Sequence, residues 1–148
     1  MERDELIAIL IDCLNQFYVN DGELLDNNTH EDALNNRLAL YLREAFENEI
    51  IKVDTEYDRH INELKFYGIE GRRAIVDIVV HQRFTDENNI LAFECKKRQP
   101  NQNDINKMEA LIGLEYGYQL GIIVQYIQKQ ITVFEYIDGE IIQEIRDI

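Results

Sequence analysis

Residues 73–81 read RAIVDIVVH and residues 89–97 read NILAFECKK. Both have the length and the β-branched and aromatic content of strands. The first is apolar at nearly every position, which marks a central strand covered on both faces. Charge interrupts these runs at three places: Asp77 in the first, Glu94 and Lys96 in the second. An unpartnered charge taken out of water is costly, so each needs a hydrogen-bond partner, a cation or a metal. Strand side chains alternate, so Glu94 and Lys96 share one face while Phe93 and Cys95 occupy the other. The polar link QRFTDENN is short enough for a hairpin and predicts antiparallel pairing. A register that sets Asp77 beside Glu94 gathers two carboxylates and a lysine at one sheet face.

Working outward, residues 4–18 place Leu6, Ile7, Leu10, Leu14, Phe17 and Tyr18 at helical spacing. The polar residues 20–28 break that helix. Thr29 followed by Asp32 resembles a capping box, and Leu34, Leu38, Tyr41, Leu42, Ala45 and Phe46 continue one face of a second helix to about residue 49. IIKVDTEYD (residues 50–58) predicts a strand, followed by a polar link containing Gly68 and Gly71. Beyond NILAFECKK, Pro100 and NQND end the strand, Asp104 is the expected N-cap, and a third helix is expected over 105–116. LGIIVQYI, ITVFEYI and, after the turn dipeptide Asp138-Gly139, EIIQEIR are tail strands. The order ααβββαββ(β) predicts an α/β fold.

The chain has 148 residues, 45% of them hydrophobic, and eight Gly plus Pro, which suits one domain with a sizeable core rather than a disordered chain. No apolar run approaches the roughly 20 residues of a membrane span, and the N-terminus is too acidic for a signal peptide, so a cytoplasmic protein that engages no membrane is expected. Cys13 and Cys95 are expected to be buried thiols, and the scattered His30, His60 and His81 offer no zinc spacing. The net charge of −14 argues against a nucleic-acid partner until it is divided: residues 1–58 carry −11, residues 59–98 carry +2 and residues 99–148 carry −5. Arg59, Arg72, Arg73, Arg83, Lys96, Lys97 and Arg98 lie in the middle third, as one positive face or as ordinary solvated charges.

Two carboxylates with open water positions suit Mg²⁺, which takes one or two protein carboxylates and keeps several waters. The chemistry that uses such a pair beside a lysine is phosphodiester hydrolysis, in which a metal polarises a phosphoryl oxygen and activates water while the lysine orients that water or offsets developing charge. A structural salt bridge would explain a carboxylate–lysine pair and leave the second carboxylate without a role.

The pattern Asp77…Glu94-x-Lys96 resembles the PD-(D/E)xK nuclease superfamily, the restriction endonuclease-like fold. The resemblance covers approximately residues 29–127 and extends to EYDRH, VDIVVHQR, the 104–107 helix start and YGYQLGIIV, as in small stand-alone bacterial members. Val76 stands where the motif usually has Pro. The resemblance implies an αβββαβ core (about residues 29–136) with a central mixed sheet flanked by helices, an extra N-terminal helix and C-terminal strands. It implies catalytic roles for Asp77, Glu94, Lys96 and Glu31, with Asp77, Glu94 and Glu31 as ligands of Mg²⁺, for which Mn²⁺ can substitute. Asp104 and Lys107 also match the family pattern, with helix capping and a solvated lysine as their ordinary roles. Glu31 shares the stripe of Leu34, Leu38 and Leu42, so it points toward the sheet, although a carboxylate in a first helical turn is also favoured by the helix dipole.

The expected function is therefore a Mg²⁺-dependent endonuclease cutting nucleic acid, with DNA the expected substrate, acting alone, as a homodimer or with a targeting subunit. His81, Arg83, Lys97, Arg98, Arg72 and Arg73 are the candidate phosphate contacts, and Tyr57 and Asp58 lie near the presumed cleft. Against this stands a catalytically silent acidic module on the same fold: an inhibitor, an immunity protein or a mimic of nucleic-acid charge.

Overall fold

Strands β6 (Val76–Gln82) and β7 (Asn89–Lys96) pair antiparallel in the register Ile78↔Phe93, Val79↔Ala92 and Val80↔Leu91. They are the second and third strands of a six-stranded mixed sheet in a computed structural model that describes residues 1–60, 63–68 and 71–148. The order is β1 (Ile51–Tyr57), β6, β7, β8 (Leu120–Gln125), β9 (Gln130–Ile137) and β10 (Glu140–Asp147). All neighbouring pairs are antiparallel except β7 and β8, which run parallel because helix α4 (Gln102–Ile112) crosses between them.

Helices cover both faces. Alternate residues of the central strands (Ile78, Val80, Leu91, Phe93, Ile122 and Val124) pack against α1 (Arg3–Asp21) and α3 (Glu31–Phe46). The intervening ones (Val79, Ala92 and Ile123) pack against Met108, Leu111 and Ile112 of α4. Period-two burial on β6 and β7, hidden in nearly continuous apolar runs, follows from this two-sided cover. Gly121 lets α4 approach β8: a Cβ there would lie 2.3 Å from Met108 Sδ. No helix is long and apolar enough to cross a membrane among the described residues, and Cys13 and Cys95 are buried free thiols.

Helix boundaries differ from the sequence reading where short polar residues compete for the cap. The polar stretch after α1 holds one further turn, α2 (Glu23–Asp26). His30, not Thr29, occupies the N-cap of α3 without a side-chain cap bond, and α3 ends at Phe46 rather than near residue 49. In α4 the N-cap is Asn101, whose side chain accepts from the Asp104 N–H while Asp104 returns a bond to the Asn101 N–H. Asp104 is thus the third helical residue of a reciprocal capping box. That helix stops at Ile112, because Gly113 takes an extended conformation, instead of running to 116. The polar link after β1 contains two small ladders, β2 (Arg59–His60) with β3 (Glu63–Leu64), and β4 (Phe66–Tyr67) with β5 (Arg72–Arg73).

The first and last core elements are joined through Tyr126, whose buried hydroxyl donates to Asn35 Oδ1 on α3 at 2.7 Å while its carbonyl accepts from Tyr18 Oη at 2.7 Å. Tyr126→Phe leaves the Asn35 oxygen buried without its donor and is expected to cost about 1–2 kcal/mol. Urea unfolding should show a lower midpoint with an unchanged slope.

Candidate functional site

The β6–β7 ladder ends at Ile78↔Phe93, one residue short of Asp77 and Glu94, which lie on adjacent strands close enough for their charges to interact. Asp77 Oδ2 accepts the Cys95 main-chain N–H at 2.7 Å, so this carboxylate bridges from β6 onto β7. Glu94 projects on the α4 face and is only 6% exposed. Lys107 Nζ lies 2.6 Å from Glu94 Oε2 and donates to Ile75 O at 3.1 Å. Glu94 Oε2 is buried and has no aligned hydrogen bond, so its compensation is charge rather than a directed N–H. Two residues along the same strand face, Lys96 Nζ lies 3.3 Å from Asp104 Oδ2.

The α4 spacing explains this arrangement. Asp104 and Lys107 are three apart, hence on one face of the helix, and they meet Lys96 and Glu94, which are two apart on one face of the strand. Opposite charges therefore face each other twice across the helix–sheet layer. Lys107 is not the solvated lysine of the sequence reading; its side chain is 14% exposed. Asp104 both caps α4 and holds Lys96.

Burial pushes the Glu94 carboxyl up to about 7, the Asp77 charge adds to the rise and Lys107 opposes it. Asp77 is also raised, chiefly by burial, with the Cys95 N–H and Lys107 opposing and Glu31 reinforcing. Burial alone would lower Lys96, but Asp104 outweighs it and the ammonium is held charged.

Glu31 begins α3 and is half-buried. Its Oε1 accepts the Lys97 N–H at 3.2 Å, so it sits at the C-terminal end of β7, close enough to influence Asp77. Lys97 lines a cavity of about 340 Å³ with His30, Glu31 and Asp32, and a second cavity of about 290 Å³ joins Asp77 to Asp32, Asn35, Thr55 and Glu56. Among the described residues no three His, Cys, Asp or Glu side chains gather closely enough to hold a metal ion. Asp77 and Glu94 are close enough for their charges to interact, and Glu31 Oε1 is engaged by the Lys97 N–H.

Three of the candidate phosphate contacts, His81, Arg83 and Arg73, are engaged with the carboxylates of Asp54 and Asp58. A bulge between Val80 and His81 breaks the alternation that related His81 to Asp77. His81 is buried, its Nε2 lies 2.8 Å from Asp54 Oδ2, and its ring stacks edge-on against Tyr57. Arg83 holds the same Asp54 through two bonds of 2.8 and 2.5 Å. Burial would raise Asp54, but Arg83 and His81 outweigh it and hold this carboxyl well below the usual range. Arg73 pairs with Asp58, Arg72 is exposed on β5, and Arg98 is exposed just beyond β7. The Asp54–His81–Arg83 cluster escaped the sequence reading because its members come from two strands whose bulge has no local signature.

Comparison of the chain with protein-family models, with curated proteins and with solved structures gives no match.

Because Glu94 binds its proton more tightly folded than unfolded, the folded state holds more protons between about pH 4.5 and 7, and this group's contribution to stability falls as pH rises through that window. Asp77 acts in the same direction. Glu94→Gln removes the larger part of this fall: in EDTA the variant should match wild type near pH 4 and exceed it by about 1–3 kcal/mol at pH 8. Urea unfolding at the two pH values measures the difference, and an equal effect at both would refute the assignment.

Proposed function

We propose that this chain is a Mg²⁺-dependent nuclease of the PD-(D/E)xK type, with DNA as its expected substrate. The single observation that carries the reading is the closeness of Asp77, which accepts the Cys95 N–H, to the neighbouring buried Glu94, with Lys96 two residues further along the same strand. The succession α3, β1, β6, β7, α4, β8 supports it, because helix–strand–strand–strand–helix–strand is the order the superfamily resemblance implies.

The residues fit a hard divalent ion on chemical grounds. Two carboxylates satisfy Mg²⁺ when water fills its other positions, and Glu94 Oε2 is a buried oxygen with charge beside it but no aligned donor. Asp77 and Glu94 would hold the ion, with Glu31 in reach of the same end of β7 and Mn²⁺ able to replace Mg²⁺. When bound, such an ion polarises the phosphoryl oxygen and lowers the pKa of a bound water. The chain's own groups do the rest. Lys96, kept charged by Asp104, orients a water or offsets charge at the scissile phosphate. Lys107 balances Glu94 when no cation is present. Glu94 must lose its proton to act as a ligand, so metal affinity should rise with pH through about 7.

One set of observations favours the acidic module instead: Glu94 with Lys107 and Lys96 with Asp104 already balance their charges, and the chain carries −14 overall. The two readings separate on labelled single- and double-stranded DNA and RNA at low salt with Mg²⁺, Mn²⁺ or EDTA. The nuclease reading expects metal-dependent cutting that Glu94→Ala abolishes and Lys96→Ala lowers by roughly 10²–10³-fold with the fold retained. Mn²⁺ titration should show binding that Glu94→Ala removes. No cutting and no metal binding would overturn the nuclease and leave the acidic module.

A further inference from the structure

The two edges of the sheet are built differently. At β1 the outward main chain is occupied: Glu47 Oε2 accepts the Val53 N–H at 2.9 Å, Arg43 Nε reaches Val53 O at 3.4 Å, and Glu56 adopts φ 49°, interrupting the strand. These are ways in which a sheet edge is closed to further pairing. At the other edge, all eight residues of β10 pair with β9 in one unbroken register. Among the described residues no hydrogen bond other than this ladder reaches the β10 main chain.

The exposed side chains of β10 are also unlike an ordinary surface. Ile141 and Ile145 share a face and are 37% and 65% exposed, and Tyr136 of β9, directly opposite Ile141, is 37% exposed. This apolar strip runs along an open strand edge, the arrangement that templates another strand.

We propose that β10 pairs antiparallel with β10 of a second copy, about a two-fold axis normal to the sheet through Gln143. An antiparallel ladder sets residues of the same face opposite each other, so such an axis must pass between the two copies of one residue, here Gln143. With Gln143 on the axis, Ile141 faces Ile145 of the second copy, and Ile145 faces its Ile141. Glu140 faces Arg146 in the same way, on the opposite side of the sheet. Neighbouring choices are worse: an axis through Glu144 sets that glutamate against itself, and one through Ile142 sets Glu140 against Glu144. The strand is thus complementary to its own reverse at Ile141 with Ile145 and at Glu140 with Arg146, which already bonds Glu144 of its own strand, while Ile142 faces Glu144. The two six-stranded sheets join into one of twelve. A single-strand interface belongs to the weaker class, so association is expected in the micromolar to millimolar range. The proposal rests on the β10 edge alone and does not depend on the nuclease reading.

Sedimentation velocity over that range, at physiological ionic strength, should show a reversible monomer–dimer equilibrium. Glu140→Arg and Arg146→Glu should each weaken it by roughly three- to tenfold by placing like charges opposite, and the double variant should restore it. Circular dichroism melts establish that each variant folds. Gln143→Cys should give a disulfide-linked dimer under mild oxidation, since the two native thiols are buried. A wild-type protein that stays monomeric throughout, or charge variants that associate like wild type, would overturn the proposal.

Discussion

The Glu94–Lys107 contact sets the terms for the rest of the molecule. A carboxylate sits on a central strand with sheet neighbours on both sides and a helix above it, and Lys107 is the cation that lowers the cost of keeping it there. For Lys107 to reach Glu94, α4 must start where it does. The Asn101–Asp104 capping box fixes that start, and the same Asp104 then meets Lys96. The parallel β7–β8 crossover, the close approach of α4 over Gly121 and the two ion pairs are therefore one solution rather than four features. An isosteric apolar residue at 94 would pack with less electrostatic cost.

Much of this was legible in the sequence. The carboxylates and lysine inside apolar runs stood out because burial makes charge expensive, and the period-two alternation put Glu94 and Lys96 on one face. The short link between β6 and β7 fixed their antiparallel pairing, in a ladder that ends at Ile78↔Phe93. What could not be read depended on contacts between distant segments. Lys107 looked like any helical surface lysine, since nothing local says that Glu94 lies beneath it. His81 looked like a neighbour of Asp77 because a bulge leaves no mark in a run of valines. Caps were missed for a different reason: Thr29 and Asp104 are good capping residues, but His30 and Asn101 hold the cap positions once tertiary packing sets where each helix begins.

Lys65 shows the same limit. It is 2% exposed, with its ammonium 4.5 Å from the centre of the Tyr57 ring and bonded to the Arg59 carbonyl. Burial lowers it to about 8. A lysine in the sequence reads as surface. Only the folded ladders after β1 bring it under the aromatic rings, where its stem packs and its charge meets a π-face.

Charge distribution constrains any reading in which the site meets a phosphate. The acidic excess lies in the first 58 residues, yet Asp21 is held by Arg37 and Tyr41 and Asp54 by Arg83, so part of that charge is already neutralised within the fold. The basic run at the end of β7 is offset as well: Lys96 faces Asp104, and Lys97 shares its cavity with Glu31 and Asp32. Under the nuclease reading, a divalent ion on Asp77 and Glu94 would be the largest positive charge there, and it would draw the phosphate as well as activate it. Substrate affinity and metal affinity would then be linked, each increasing the other by the same factor. Under that reading, binding and chemistry in this acidic chain would share one cation.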